Sequence, residues 1–149
     1  MLSAVVDVQP TAVEPEVDER RLYWVGPMTV VAATLAVWMV QHICLFILPP
    51  LPAFSGRILS SIEPALFTAV LVTLAVFVFG WVAEMASRPL RTFRRIALGA
   101  LIISCLPNVL GPIMARVLDL GLLALGFLHV VAWAVTVPML TRLTIRKIR

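Results

Sequence analysis

PALFTAVLVTLAVFVFGWVA, residues 64–83, is 20 residues long and contains no Asp, Glu, Lys or Arg. A helix rises about 1.5 Å per residue, so this stretch is long enough to cross the hydrocarbon core of a bilayer, which is about 30 Å thick. Three further charge-free apolar stretches of similar length occupy residues 27–48, 96–115 and 120–141. The sequence therefore predicts four transmembrane helices.

The composition of the chain supports the same fold class. Of its 149 residues, 61% are hydrophobic and only 13% are charged, which is more apolar surface than a soluble domain of this size can bury. Inside lipid every backbone N–H and C=O needs an internal partner, and only helices and closed barrels provide one. The apolar stretches lack the alternation of barrel strands, so we expect an all-α integral membrane four-helix bundle.

The basic residues predict the orientation of this bundle. Ten of the 12 Lys and Arg residues lie before the first stretch, between the second and third, or after the fourth, and two lie on the other connections. The ten are Arg20, Arg21, Arg88, Arg91, Arg94, Arg95, Arg142, Arg146, Lys147 and Arg149, and the two are Arg57 and Arg116. By the positive-inside rule both termini are cytoplasmic, and we expect a multi-pass protein of a bacterial cytoplasmic membrane.

The net charge of +4 does not indicate nucleic acid, because the bases flank the membrane spans. We expect Arg88, Arg91, Arg94 and Arg95 to contact anionic lipid headgroups, and the acidic surface of a partner protein is the alternative. Residues 1–22 are acidic in their first 19 positions and are predicted to form a mobile cytoplasmic tail that precedes a bundle over residues 23–149.

Two local predictions concern the connection between the first and second spans. Residues 49–57 contain three prolines and are expected to be extended. Ser60 and Glu63 have the spacing of a capping box, with Ser60 as the N-cap of the second span and Pro64 tolerated in its first turn.

The third span is irregular because it contains Pro107 and Pro112. Each proline removes one backbone hydrogen bond, so Pro107 frees the carbonyl of Ile103 and Pro112 frees that of Asn108. We expect a kink in this helix.

A few polar residues inside the spans are the candidate site. Counted along antiparallel helices, Asn108 and His129 reach similar depth, and with Ser104 and the freed carbonyls they can form one polar cluster. Interhelical hydrogen bonds that satisfy the broken backbone are one interpretation, and we expect His129 to bond to Asn108 or to a freed carbonyl. A quinone or lipid headgroup bound at His129 or Asn108 is a second.

Haem ligation by His42 and His129 is a third interpretation, because neutral imidazole is a common axial ligand. The two histidines lack supporting motifs, so we expect no haem and no other cofactor. We also expect no metal site. The sequence contains no His-Glu-x-x-His pair, no paired intramembrane carboxylates, no nucleophile elbow and no phosphate-binding glycine loop, and therefore does not predict an enzyme.

Short elements of the last two spans resemble a known family. Ser104-Cys105-Leu106-Pro107, and Leu128-His129-Val130-Val131 followed by Val137-Pro138, are similar to elements of a bacterial family of small four-span membrane proteins described only as a domain of unknown function. The likeness covers most of the chain after Trp24. It implies a four-helix membrane fold and no particular activity, with Ser104, Pro107 and His129 as structural positions.

Two functions follow as hypotheses. The first is a non-enzymatic accessory or structural subunit of a larger bacterial membrane complex, with electron-transfer assemblies among the candidates, in which partner subunits cover part of the lipid-facing surface. The alternative is a small binding or transport protein that holds a quinone-like or other apolar ligand near the third and fourth helices.

Overall fold

The computed structural model describes residues 17–115 and 118–145. In this part of the chain four long helices, α1 (Glu19–Ile47), α3 (Glu63–Met85), α4 (Pro89–Ala115) and α5 (Leu120–Leu143), are accompanied by one short helix, α2 (Ala53–Ser60). The four long helices are apolar and long enough to span a membrane. An all-helical chain with four candidate spans is therefore confirmed.

Two aspartates explain where α1 and α5 begin. The Oδ1 atom of Asp18 accepts hydrogen bonds from the backbone N–H groups of Arg20 and Arg21, at 3.1 and 3.4 Å. Asp119 does the same for the first turn of α5, where its Oδ1 lies 2.9 Å from the nitrogen of Gly121. Both are N-caps. Residues 19–22, predicted as part of the tail, are thus the first turn of α1, whereas residues 1–16 lie outside the described residues.

The long helices form a ring in which α1, α3, α4 and α5 are successive neighbours. Across the ring α3 touches α5, whereas α1 and α4 do not touch. The α3–α4 side is the most loosely packed of the four. Large apolar side chains such as Phe46, Phe77 and Met114 are exposed on the outside, as expected for a bundle solvated by lipid.

Each end of the bundle has its own apolar core. At one end, Phe79 and Phe93 pack edge to face with their ring centroids 4.8 Å apart. Val17 pairs with Ile145 in an antiparallel bridge at this end, and the Asp18 N–H donates to the Thr144 carbonyl at 2.8 Å. We call this end the terminal side. At the opposite end, the α2 side, Leu59 of α2 packs against α1 and α5.

The connection on the α2 side differs from its prediction. Residues 53–57 are helical, because Pro52 constrains its own backbone and the residue before it but leaves Ala53 free to start a helix. The predicted capping box is also wrong. Ser60 is the last residue of α2, and its hydroxyl donates to the Arg57 carbonyl at 3.1 Å. The Glu63 N–H donates instead to Ser61 Oγ, at 3.3 Å.

Prolines also lie inside the long helices. α4 is assigned as one continuous helix through Pro107 and Pro112, so both residues are accommodated within the span. The kink predicted at these residues stays a prediction.

Candidate functional site

The three residues of the predicted polar cluster line one cavity. Ser104 and Asn108 contribute from α4 and His129 from α5, and α3 closes the remaining wall. The cavity has a volume of about 630 Å³. The structure thus brings these three side chains to one cavity, and their role as a ligand or interhelical site stays a prediction.

The hydrogen bonds within the cluster differ from the prediction. His129 Nδ1 lies 2.8 Å from the Leu125 carbonyl oxygen of its own helix. Asn108 Nδ2 donates to the Ser104 carbonyl at 3.2 Å, and the Ser104 hydroxyl donates to the Ala100 carbonyl at 2.8 Å. Each side chain thus bonds to a carbonyl four residues earlier, and neither Asn108 nor a freed carbonyl is the recorded partner of His129. The carbonyl one turn back is always within reach, whereas an interhelical bond requires a particular rotation of both helices.

The cavity extends along most of α3. Its α3 wall runs from Glu63 to Val78. These 15 helical steps correspond to about 22 Å, which is most of the thickness of a hydrocarbon core. Glu63 lies at the α2 side, where Ile58 of α2 also lines the cavity.

The cavity opens sideways between α3 and α4. Its walls include Phe67 and Leu74 of α3 and Ile96 of α4, and these side chains are 66%, 57% and 45% exposed. These exposed apolar side chains therefore border an opening on the loosely packed α3–α4 side. On a bundle that spans a bilayer, such an opening faces lipid.

Two further polar residues of the cavity were missed at the sequence level. Trp133 Nε1 and Thr136 Oγ1 are buried and have no hydrogen-bond partner among the described residues. Thr136 is only 5% exposed. Both side chains line the cavity with His129. Their spacing of four and seven residues from His129 places all three on one face of α5, and this periodicity was the available signal.

Gln41 is another buried polar residue whose role was not predicted from the sequence. It is 1% exposed, and its Nε2 donates to the carbonyls of Leu59 and Ser61 at 2.8 and 2.7 Å. Gln41 therefore ties α1 to the end of α2. Because Ile58 of α2 lines the cavity, this contact also holds the α2 end of the cavity in place.

His42 lies apart from the cavity residues. It is exposed on α1, its Nδ1 lies 2.8 Å from the Trp38 carbonyl oxygen, and its ring centroid lies 4.4 Å from that of Trp38. His42 is not among the residues that line the cavity with His129. The structure thus places the two candidate haem ligands in different surroundings. Within residues 17–115 and 118–145, no group of three His, Cys, Asp or Glu residues is arranged to hold a metal ion.

The predicted headgroup arginines are at the terminal side. Arg88, Arg91, Arg94 and Arg95 are exposed at the start of α4. Arg94 Nη2 donates to the Thr141 hydroxyl of α5 at 3.4 Å. The four guanidinium groups therefore lie at one end of the bundle, separate from the cavity polar residues at mid-span.

No protein-family model, no curated protein and no solved structure matches the chain. The role of the cavity is therefore argued from its geometry. The resemblance to small four-span proteins of unknown function remains an expectation.

Proposed function

We propose that this chain is a non-enzymatic multi-pass membrane protein that binds a lipid-soluble molecule in the cavity between α3, α4 and α5. The observation that carries the proposal is the cavity itself, about 630 Å³ in volume and mainly apolar, with a few polar side chains at mid-span. Ligand sites have volumes of about 300–1,000 Å³ and this same mixture of an apolar wall and a few placed polar groups.

The lateral opening defines the class of ligand. A molecule dissolved in the bilayer reaches the cavity between α3 and α4 without crossing water. Its apolar body lies along α3 near Phe67 and Leu71, and its polar group lies beside His129 and Asn108. Quinone-like molecules and other lipids with a small polar group fit this description.

A purification experiment tests the proposal. The protein is isolated in a mild detergent, and bound molecules are extracted and identified by mass spectrometry. Ala132 lines the cavity, so Ala132→Phe fills part of it and is expected to lower the amount of co-purifying ligand several-fold. Val31→Phe on the exposed face of α1 is the matched control and is expected to retain the ligand. Wild-type protein without a stoichiometric apolar ligand, together with no binding of added lipophilic probes, would contradict the proposal.

The second candidate function is an accessory subunit of a larger membrane complex, and electron-transfer assemblies remain among the candidates. The lateral opening favours it too, since a partner helix seated over Phe67 and Leu74 would cover their exposed side chains. Photo-crosslinking from Leu74 is then expected to capture a protein partner in membranes, and crosslinking from Leu35 on α1 is the control position. Co-migration with stoichiometric partners in mild detergent would favour the subunit, whereas a homogeneous protein with an extracted ligand favours the binding protein.

The proposed setting is a bacterial cytoplasmic membrane with the terminal side in the cytoplasm. The exposed cluster Arg88, Arg91, Arg94 and Arg95 on that side supports this orientation, because the cytoplasmic leaflet is anionic and each base near it contributes about 1 kcal/mol. In this orientation the arginines contact lipid headgroups.

A further inference from the structure

We infer that the ligand of this cavity is a neutral hydrogen-bond donor, a lipophilic alcohol or phenol, whose O–H donates to His129 Nε2. The inference rests on the proposed function and specifies the chemistry of its ligand. Most donor hydrogens of the cavity side chains are already bonded within the protein, whereas one acceptor, His129 Nε2, is not.

One ring nitrogen of His129 is bonded to its own helix. Its Nδ1 lies 2.8 Å from the Leu125 carbonyl oxygen, which can only accept a hydrogen bond, so Nδ1 carries the hydrogen. A site inside the bilayer favours the neutral imidazole, because a charged side chain there is costly. In the neutral ring with Nδ1 protonated, Nε2 is an acceptor.

Nε2 is also accessible. No described residue forms a hydrogen bond with Nε2. Unlike Trp133 Nε1 and Thr136 Oγ1, which also lack a partner, Nε2 is not fully buried. Because the half-buried His129 side chain lines the cavity, a molecule in the cavity can reach this nitrogen.

The neighbouring hydroxyl groups also donate their hydrogens to backbone carbonyls of their own helices. The Ser104 hydroxyl donates to the Ala100 carbonyl, and the Thr68 hydroxyl donates to the Pro64 carbonyl at 2.7 Å. Asn108 donates one amide hydrogen to its own helix, at 3.2 Å, and keeps its second amide hydrogen as a donor and its carbonyl oxygen as an acceptor. The accessible polar atoms around His129 are therefore mainly acceptors.

Besides the second amide hydrogen of Asn108, two further donors lie deeper. Trp133 Nε1 and Thr136 Oγ1 are closed off by surrounding atoms, so a ligand oxygen reaches them only after a side chain turns. Among the polar atoms within reach of a ligand, His129 Nε2 can only accept a hydrogen bond, whereas the Asn108 amide can either donate or accept. A hydroxyl matches Nε2, whereas a molecule with only carbonyl or ether oxygens leaves Nε2 unpaired.

A neutral donor also fits better than a cationic one. Glu63, at the α2 end, is the acidic residue among those that line the cavity, and it is separated along the wall from the level of His129. An ammonium group at mid-span would have no carboxylate beside it and would be costly to bury.

The test uses three probes of the same shape: β-naphthol, its methyl ether and β-methylnaphthalene. The first has an O–H donor, the second has only an acceptor, and the third has neither. Dissociation constants are measured by fluorescence in one detergent for wild type, His129→Phe and His42→Phe. His42 is the matched control because it makes the same Nδ1 contact, at 2.8 Å, on the exposed face of α1.

We expect β-naphthol to bind wild type about fivefold or more tightly than its methyl ether, which corresponds to one hydrogen bond of about 1 kcal/mol. His129→Phe abolishes this preference while its affinity for the methyl ether stays within about twofold, since only the hydrogen bond is lost. His42→Phe retains the preference.

Two results would overturn the inference in distinguishable ways. Equal affinity of wild type for β-naphthol and its ether would remove the donor requirement and leave the apolar binding function standing. Absence of binding by all three probes would remove both. If His129→Phe does not fold, His129→Gln, which replaces Nε2 by an amide oxygen, is expected to retain the preference for β-naphthol, and its loss would count against the inference.

Discussion

Substitution of Gln41 tests whether the buried contact between α1 and α2 stabilises the bundle. Gln41 Nε2 donates to the carbonyls of Leu59 and Ser61, which lie at the end of α2 where backbone carbonyls lack helical partners. Gln41→Leu keeps an uncharged side chain of similar size and removes both hydrogen bonds. The contact between the two helices is then apolar only.

The expected loss of stability follows from these two bonds. Each contributes about 0.5–1.5 kcal/mol net, and measured values within membranes average about 0.6 kcal/mol. The Leu59 carbonyl, in a buried contact, and the Ser61 carbonyl, in a part-buried one, lose their donor, which adds to the loss. Gln41→Leu also removes Gln41 Oε1, a buried oxygen without a partner among the described residues, and this offsets part of the loss. We expect Gln41→Leu to lower the free energy of unfolding by about 2 kcal/mol. Gln41→Glu is expected to be worse, because its carboxylate would face two carbonyl oxygens.

The assay is reversible unfolding by sodium dodecyl sulfate in mixed micelles, combined with hydrogen exchange of the α2 amides. Gln41→Leu is expected to lose protection in α2 before the rest of the bundle unfolds. His42→Leu, an adjacent exposed substitution, is the control and is expected to change little. If Gln41→Leu unfolds like wild type and α2 keeps its protection, the argument that Gln41 anchors α2 is refuted.

The other predictions concern packing, topology and the cavity histidine. Gly121→Ala is expected to cost about 1–3 kcal/mol of stability by overpacking, because its Cβ would lie 2.6 Å from Ser55 Cβ, whereas Gly99→Ala, with open space around it, is expected to be neutral or stabilising. Reporter fusions are expected to place Thr92 in the cytoplasm and Ser55 outside, and a periplasmic signal at Thr92 would overturn the orientation. His129→Leu is expected to change the free energy of unfolding in mixed micelles by less than about 0.5 kcal/mol, because the imidazole bonds only to its own helix, and a larger loss would indicate an interhelical role. The purified wild-type protein is expected to lack a Soret band, and a band that His129→Leu removes would indicate haem.

Much of the fold was predictable because it depends on local composition. The apolar length of residues 64–83 and 120–141 sets how far a helix can extend through lipid, and α3 and α5 follow these stretches closely. Helix ends were less predictable. α1 begins at Glu19, because the cap at Asp18 lies beyond the apolar stretch and a helix can continue past the membrane surface.

The candidate site was predictable only in part. The relative depth of Ser104, Asn108 and His129 can be counted along helices of constant rise, and all three residues line one cavity. Their hydrogen bonds did not follow from depth. Each side chain can bond either to the carbonyl one turn back or across to another helix, and the choice depends on how the helices are rotated about their axes.

The sequence by itself determined an all-helical chain with four membrane-crossing stretches, since apolar length and backbone hydrogen bonding are properties of each segment alone. Only the tertiary structure decided that α3 and α4 pack loosely, with a cavity open between them, and that Gln41 bonds to the end of α2. It also decided that Trp133 and Thr136 line that cavity, with Trp133 Nε1 and Thr136 Oγ1 lacking a hydrogen-bond partner in the described part of the chain. These features depend on which helices are neighbours and how each is rotated, because side chains far apart in sequence meet only after the helices have packed.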